Sequence, residues 1–278
     1  MPQTITDGAL EWQRLAKTNA HPRDARITFD EETHTYTIDG SREGWVSCTQ
    51  FIHGYTQEFD ADGVIKKMMS SRKWPESKYF GMTPEEIKAQ WSASANEAST
   101  AGTRMHLDIE HFNNALPIGN LEGDNYTPNP SPEWNYFLKY DTKWRIKNGF
   151  MPYRTEWLVF KEDIKLAGSI DMVYTKPDGT LAIYDWKRAK EIKFENSYQN
   201  CLEPIENLPD TNYWHYSLQL NIYRRILEEL YDVTVSELAL VVLHPNNPSF
   251  QVIMLNRMDD EVTAMFESRR KKLSHPSQ

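Results

Sequence analysis

The feature that most constrains this chain is a change in the spacing of its apolar residues near position 150. On the long stretch from Thr83 to Phe112 they recur about every 3.6 residues; from Tyr153 to Lys187 they alternate with a period of two. Residues 153–160, 168–174 and 181–187 therefore read as three successive strands, and Pro177-Asp178-Gly179 as the turn between the last two. If Asp178 is the hairpin centre, cross-strand partners have numbers that sum to twice 178. Asp171 and Asp185 meet that condition and should face each other. Asp185 and Lys187, two residues apart on a strand, should share that face. Two opposed carboxylates repel and destabilise the pair. A divalent cation between them removes the repulsion, and hard oxygen ligands select Mg²⁺ or Mn²⁺ over zinc. Lys187 would then orient or deprotonate a water, or stabilise developing negative charge. The competing reading is an exposed hairpin with ordinary surface charges, since a D-x-K triplet alone is weak.

The upstream half is helical in character. Thr83-Pro84-Glu85-Glu86 opens a long helix with an N-cap, a first-turn proline and first-turn acids. Its expected buried stripe is Ile87, Trp91, Ala95, Ala98, Gly102, Met105, Ile109 and Phe112. His106 lies one turn from both Gly102 and Glu110. Gly102 is expected at a tight approach of helix to sheet. A lone histidine beside an apolar stripe is more often structural, yet a neutral imidazole oriented by a carboxylate is a competent metal ligand. Residues 26–39 read as a β-hairpin, 47–70 as mixed helical, 70–82 and 117–132 as loops, and the stretch from Ser131 to Asn148-Gly149 as another helix. Residues 212–231 form a helix on which Gln219 and Tyr223 share a face, suited either to packing on the sheet or to a phosphate, ribose or base edge. Strands near 238–243 and 250–255 and a last helix from about 258 follow. The expected fold class is α/β, a central mixed β-sheet flanked by helices. An N-terminal hairpin and helical extension (1–95) should pack on a core spanning 96–278.

Composition removes several classes. Two cysteines, Cys48 and Cys201, supply neither a disulfide framework nor a four-thiolate cluster. No apolar run approaches a membrane span, and the first residues lack a signal-type apolar region. A soluble, intracellular protein without membrane contact is expected. With 31 basic and 40 acidic residues the formal charge is −9, which disfavours a general nucleic-acid coat protein. Basic residues nevertheless gather near the motifs, among them Arg104, Lys187, Arg188 and Lys190. Aromatic and basic residues also alternate in the loop of Arg72, Trp74 and Tyr79, a mixture suited to single strands.

Taken in order, Gly102–His106, Gly168–Asp171, Asp185–Lys187 and Gln219–Tyr223 resemble the RecB-like branch of the PD-(D/E)XK nuclease superfamily. That branch carries a G-x-x-x-H helix, a G-x-x-D strand, a D/E-x-K strand and a Q-x-x-x-Y helix. The segment from Asp30 through His34, Tyr36 and Asp39-Gly40 to Thr49 is similar to the amino-terminal hairpin of its phage, viral and mitochondrial exonucleases. Glu156 matches an acidic position of the same group. The resemblance implies a restriction-endonuclease-like core and metal-assisted hydrolysis of a phosphodiester. It implies His106, Asp171, Asp185 and the Trp186 carbonyl as ligands of Mg²⁺ or Mn²⁺, and Lys187 as the catalytic lysine. Glu110 and Glu156 become second-metal or water-positioning acids. Gln219 and Tyr223 are implied as substrate contacts, and Arg188, where a threonine is common, as a further phosphate contact. The expected substrate is DNA, single-stranded or at ends, cut as an exonuclease. An endonuclease, also on RNA, and a catalytically idle binding module are the alternatives. With two cysteines, no iron–sulfur cluster is expected.

Overall fold

A computed structural model describes residues 13–115 and 126–275. Part of the expected loop at 117–132 lies outside these residues. Strands β1 (Ile27–Asp30) and β2 (Thr35–Ile38) form the anticipated antiparallel hairpin. Its Ile27 and Ile38 pack on Phe160 and Ala167 of the main sheet. The short strand β3 (Val46–Ser47) leads into helix α2 (Cys48–His53), whose start is fixed reciprocally. The Gln50 amide donates to Ser47 Oγ, and the Ser47 amide donates to Gln50 Oε1.

Helix α3 (Ala61–Met69) precedes the long helix α4 (Pro84–Ala115). Thr83 and Glu86 close a capping box at its start, the amide of each donating to the other's side chain. Helix α4 buries Ile87 near its beginning and Met105 and Ile109 near its end. Residues 92–100 between them are exposed, so the expected stripe does not run through Ala95 and Ala98. Small residues there keep helical propensity without any apolar face to bury. Gly102 also departs from expectation: a Cβ built on it meets nothing within 4 Å, so no close approach requires a glycine. Helix α5 (Pro132–Tyr140) begins where Ser131 Oγ accepts the Trp134 amide, continues as a widened turn to Arg145, and stops before Gly149, whose φ is +69°.

The main sheet carries β4 (Met151–Lys161), β5 (Leu166–Thr175), β6 (Leu181–Lys187), β7 (Val235–Val242) and β8 (Gln251–Met254). Pairing is antiparallel from β4 to β5 to β6, parallel from β6 to β7, and antiparallel from β7 to β8. The parallel step requires a crossover, which α6 (Asn212–Leu230) provides. Helix α7 (Asp259–Ser274) closes the chain. Helices cover both faces. On one, residues of α2, α6 and α7 pack with Ile183 and Leu240; on the other, Met105, Ile109, Phe137 and Tyr140 pack with Tyr184 and Val241. The α/β architecture is thus the one the alternating patterns predict. The division proposed near residue 95 falls inside α4, and β3 and α2 upstream of it belong to the main sheet and its core. Among the described residues no helix is long and apolar enough to cross a membrane.

Candidate active site

The site lies where β5 loses its neighbour. One edge of β5 pairs with β4 along its length. The other edge is shared: β3 holds Leu166 and Ala167, and β6 holds Met172 to Thr175. Gly168 to Asp171 lie between these two ladders. The observed partners Met172↔Tyr184, Val173↔Ile183, Tyr174↔Ala182 and Thr175↔Leu181 follow the predicted register. One step further that register sets Asp171 opposite Asp185. There the strands part, and the Trp186 amide donates to Asp171 Oδ2 at 3.0 Å instead of to a strand carbonyl.

The β4–β5 register sets Glu156 opposite Asp171, between Thr155↔Met172 and Trp157↔Ile170. Three carboxylates, Glu156, Asp171 and Asp185, therefore stand in one row across three strands. The row coincides with a slip in side-chain alternation. Ile170 packs in the core under α6 and Met172 in the core under α5, although strict alternation puts both on one face. Glu156 has φ +42°, a left-handed conformation that costs a non-glycine residue roughly 1 kcal/mol or more. The structure thus spends backbone strain at the row of acids. Glu156 Oε2 accepts the Ser169 hydroxyl at 2.7 Å.

His106 reaches this row from α4. Its Nδ1 is 3.5 Å from Asp171 Oδ2 and 3.9 Å from Glu156 Oε1, and its Nε2 is 3.0 Å from the Trp186 carbonyl. Burial disfavours the imidazolium, but the Asp171 and Glu156 carboxylates outweigh it and hold the pKa up at about 9. Burial and the Asp171 charge push the Asp185 carboxyl up to about 6, against the pull of Lys187. Burial, with Glu156 and Glu31 nearby, pushes Glu110 up to about 8. Lys187 Nζ is 2.6 Å from Asp185 Oδ2 and 4.4 Å from the centroid of the Tyr216 ring. Burial opposes its charge, but Asp185 and then Asp171 raise its pKa above that of a free lysine. The two carboxylates thus favour the ammonium form.

The other expected residues fall differently. Gln219 is half-buried and lines, with Lys187 and Tyr216, a cavity of about 250 Å³. Tyr223 is buried: its ring fills the space beside Gly168, where a Cβ would meet it at 2.5 Å, and its hydroxyl accepts from the Gln219 amide at 3.3 Å. It shapes the wall and does not present itself to a strand. Arg188, expected on a phosphate, lies 2.6 Å through Nε from Glu133, a buried acid in the first turn of α5. Arg104 is tied to Asp108 and to the Thr127 carbonyl. Lys190 is exposed. Tyr216 and Ser169 escaped the sequence reading. Tyr216 stands one turn before Gln219 on the same helix face, and Ser169 sits inside the Gly168–Asp171 motif, so spacing could have marked both.

Residues 78–274 match the family model of the PD-(D/E)XK nuclease superfamily. The chain belongs to that superfamily. No curated protein sequence matches it. Among solved structures, SSO0001 aligns at TM-score 0.32 and 10% identity, covering 99% of this chain and 88% of its own. A "putative exonuclease" of Eubacterium rectale aligns at TM-score 0.32 and 10% identity, covering 84% and 79%. At these scores neither likeness carries weight here. PD-(D/E)XK nucleases use divalent metals, and the donors present suit one. His106, Glu156 and Asp171 converge to within 4.8 Å of one another. Asp185 Oδ2, buried, is engaged by the Lys187 ammonium at 2.6 Å. Buried carboxylates that raise one another's pKa, with an imidazole converging on them, fit a cation.

Proposed function

We propose that this member of the nuclease superfamily is a Mg²⁺- or Mn²⁺-dependent deoxyribonuclease that trims single strands or DNA ends as an exonuclease. The observation that carries the reading is the convergence of His106, Glu156 and Asp171, beside an Asp185 paired with Lys187. The motif order and the amino-terminal hairpin, which resemble those of phage, viral and mitochondrial exonucleases, support DNA ends as the substrate. Asp171, Asp185, the Trp186 carbonyl and His106 would hold the cation. When bound, it supplies Lewis acidity at the scissile phosphate and lowers the pKa of a water. The chain's own groups do the rest. Lys187, kept protonated by Asp185, donates to the attacking water or to a phosphate oxygen. The Tyr216 ring and Asp185 fix its ammonium in place. Glu156, locked by Ser169, is an acceptor that orients water, and Gln219 offers its amide to the strand from the cavity wall. Tyr223 keeps α6 at the distance from β5 that this arrangement needs.

The test is an end-labelled cleavage assay on matched single- and double-stranded DNA, linear RNA and a closed single-stranded circle, with Mg²⁺ or Mn²⁺ and with chelator. Metal-dependent shortening of linear DNA that spares the circle is expected. Cutting of the circle overturns the exonuclease reading, and preference for RNA overturns the substrate. An Asp185→Ala chain that cuts as fast as the unaltered one overturns the site.

A further inference from the structure

Among the described residues a second group of metal-ligating side chains converges as closely as the first. Cys201, Asp210 and His215 bring Sγ, a carboxylate oxygen and an imidazole nitrogen to within 4.8 Å of one another. None of the three takes part in the chemistry proposed above. They join the irregular segment after β6 to the first turn of α6, and His53 at the end of α2 approaches from a third side, its ring 6.4 Å from that of His215. His215 Nε2 is 2.7 Å from Asp210 Oδ1, and Asp210 Oδ2 accepts the Gln57 amide at 3.0 Å. Asp210 thus orients the imidazole while its own second oxygen is fixed. Cys201 is buried, and the contact of its sulfur with the Pro209 carbonyl is long at 3.9 Å.

We propose that Cys201, Asp210 and His215, with His53 as a fourth donor, form a zinc site that staples the 190–211 segment to α2 and α6. The donor set is mixed sulfur, nitrogen and oxygen, which suits borderline-soft Zn²⁺ and disfavours Mg²⁺, the reverse of the oxygen-rich row at β5. Tetrahedral ligand bonds of about 2.0–2.3 Å set donors roughly 3.3–3.8 Å apart, so the His215–Asp210 pair must part slightly and the Cys201 sulfur draw in; Cys201 and Asp210 lie on an irregular segment, while His53 and His215 are fixed by α2 and α6. Binding releases the Cys201 thiol proton to solvent, shifts the His215 proton from Nε2 to Nδ1 by exchange with solvent, and replaces the His215–Asp210 hydrogen bond with two metal bonds. The location gives the site a purpose. The segment of some twenty residues has no regular structure; Cys201, Ile205 and Leu208 anchor it in the core, and isolated hydrogen bonds, such as the Cys201 amide to the Leu208 carbonyl and the Leu202 amide to the Tyr55 carbonyl, hold the rest. His53 and His215 line the same cavity as Lys187 and Gln219, so a metal here fixes the wall across which a substrate strand would lie.

The experiment is Co²⁺ titration of the full chain under reducing conditions, followed by absorbance, with zinc content and thermal unfolding measured alongside. A thiolate ligand gives a near-ultraviolet charge-transfer band that the oxygen- and nitrogen-lined catalytic row cannot give. The unaltered chain and Cys48→Ala should show the band and retain about one zinc per chain beyond the β5 row. Cys201→Ser should lose both, and His215→Gln should lose the zinc-induced rise in Tm. A folded, unaltered chain without the band, or a Cys201→Ser chain that keeps it, overturns the site. If Cys201→Ser does not fold, His215→Gln decides, because it retains both cysteines: an unchanged Co²⁺ spectrum and zinc affinity overturn the proposal.

Discussion

At the scale of single residues, Glu110 and His106 on α4 and Asp185 on β6 are held in a state that favours protons. Glu110 is raised from 4.5 to about 8, Asp185 from 3.8 to about 6 and His106 from 6.5 to about 9. Each folded value lies above the unfolded one. Between the two values the folded chain binds more protons than the unfolded chain, so stability falls as pH rises through that window. The metal-free protein should therefore lose Tm progressively between about pH 4 and 9. Stabilisation by Mn²⁺ or Mg²⁺ should be largest at the alkaline end, where protons no longer compete for the ligands. Differential scanning fluorimetry across that range, with and without metal, checks both. Glu110→Gln should raise the metal-free Tm most near pH 8 and barely change it below about pH 4, where the carboxyl is protonated in both states. Asp171→Asn should retain the fold by circular dichroism and lower the cleavage rate by a factor on the order of 10²–10³ or more.

At the scale of elements, the contact between β5 and α6 sets the geometry. Gly168 has no room for a side chain because the Tyr223 ring and hydroxyl occupy the space. Gly168→Ala should cost about 1–3 kcal/mol and weaken cleavage together with stability, since Gln219 leans on the Tyr223 hydroxyl. In a Tyr223→Ala background the same change should cost clearly less, and a double-mutant cycle by thermal unfolding measures the difference. Elements were also where sequence patterns read best. The hairpin register, the caps at Thr83 and Ser131 and the turn at Asp178 depend on local chemistry and follow expectation. The stripe on α4 fails over residues 92–100 because small residues satisfy a helical period without saying what they touch.

At the scale of the whole molecule, the net charge of −9 meets a cleft whose cations are mostly committed. Lys187 pairs with Asp185, Arg188 with Glu133 and Arg104 with Asp108. Few contacts remain for long-range attraction of a polyanion. Single-stranded DNA binding to an Asp185→Ala chain should therefore weaken with salt along a shallow log–log slope, no steeper than about −3, the value for roughly four neutralised phosphates. Fluorescence anisotropy across a salt series measures it, and a much steeper slope would show a basic track elsewhere on the surface.

The sequence by itself determined the hairpin, its register from Met172↔Tyr184 to Thr175↔Leu181 and the α/β order, because strand periodicity and turn chemistry act within a few residues. It also singled out His106, Glu110 and Glu156 as candidates, through a resemblance of ordered motifs. Only the tertiary structure decided how those residues meet. The slip in alternation at Glu156 and Asp171, the parting of β5 from β6, and the approach of His106 from α4 depend on packing between distant segments. The same holds for the retreat of Tyr223 into the wall and of Arg188 onto Glu133. A buried charge takes whichever partner the folded surroundings offer, and no spacing along the chain encodes that choice.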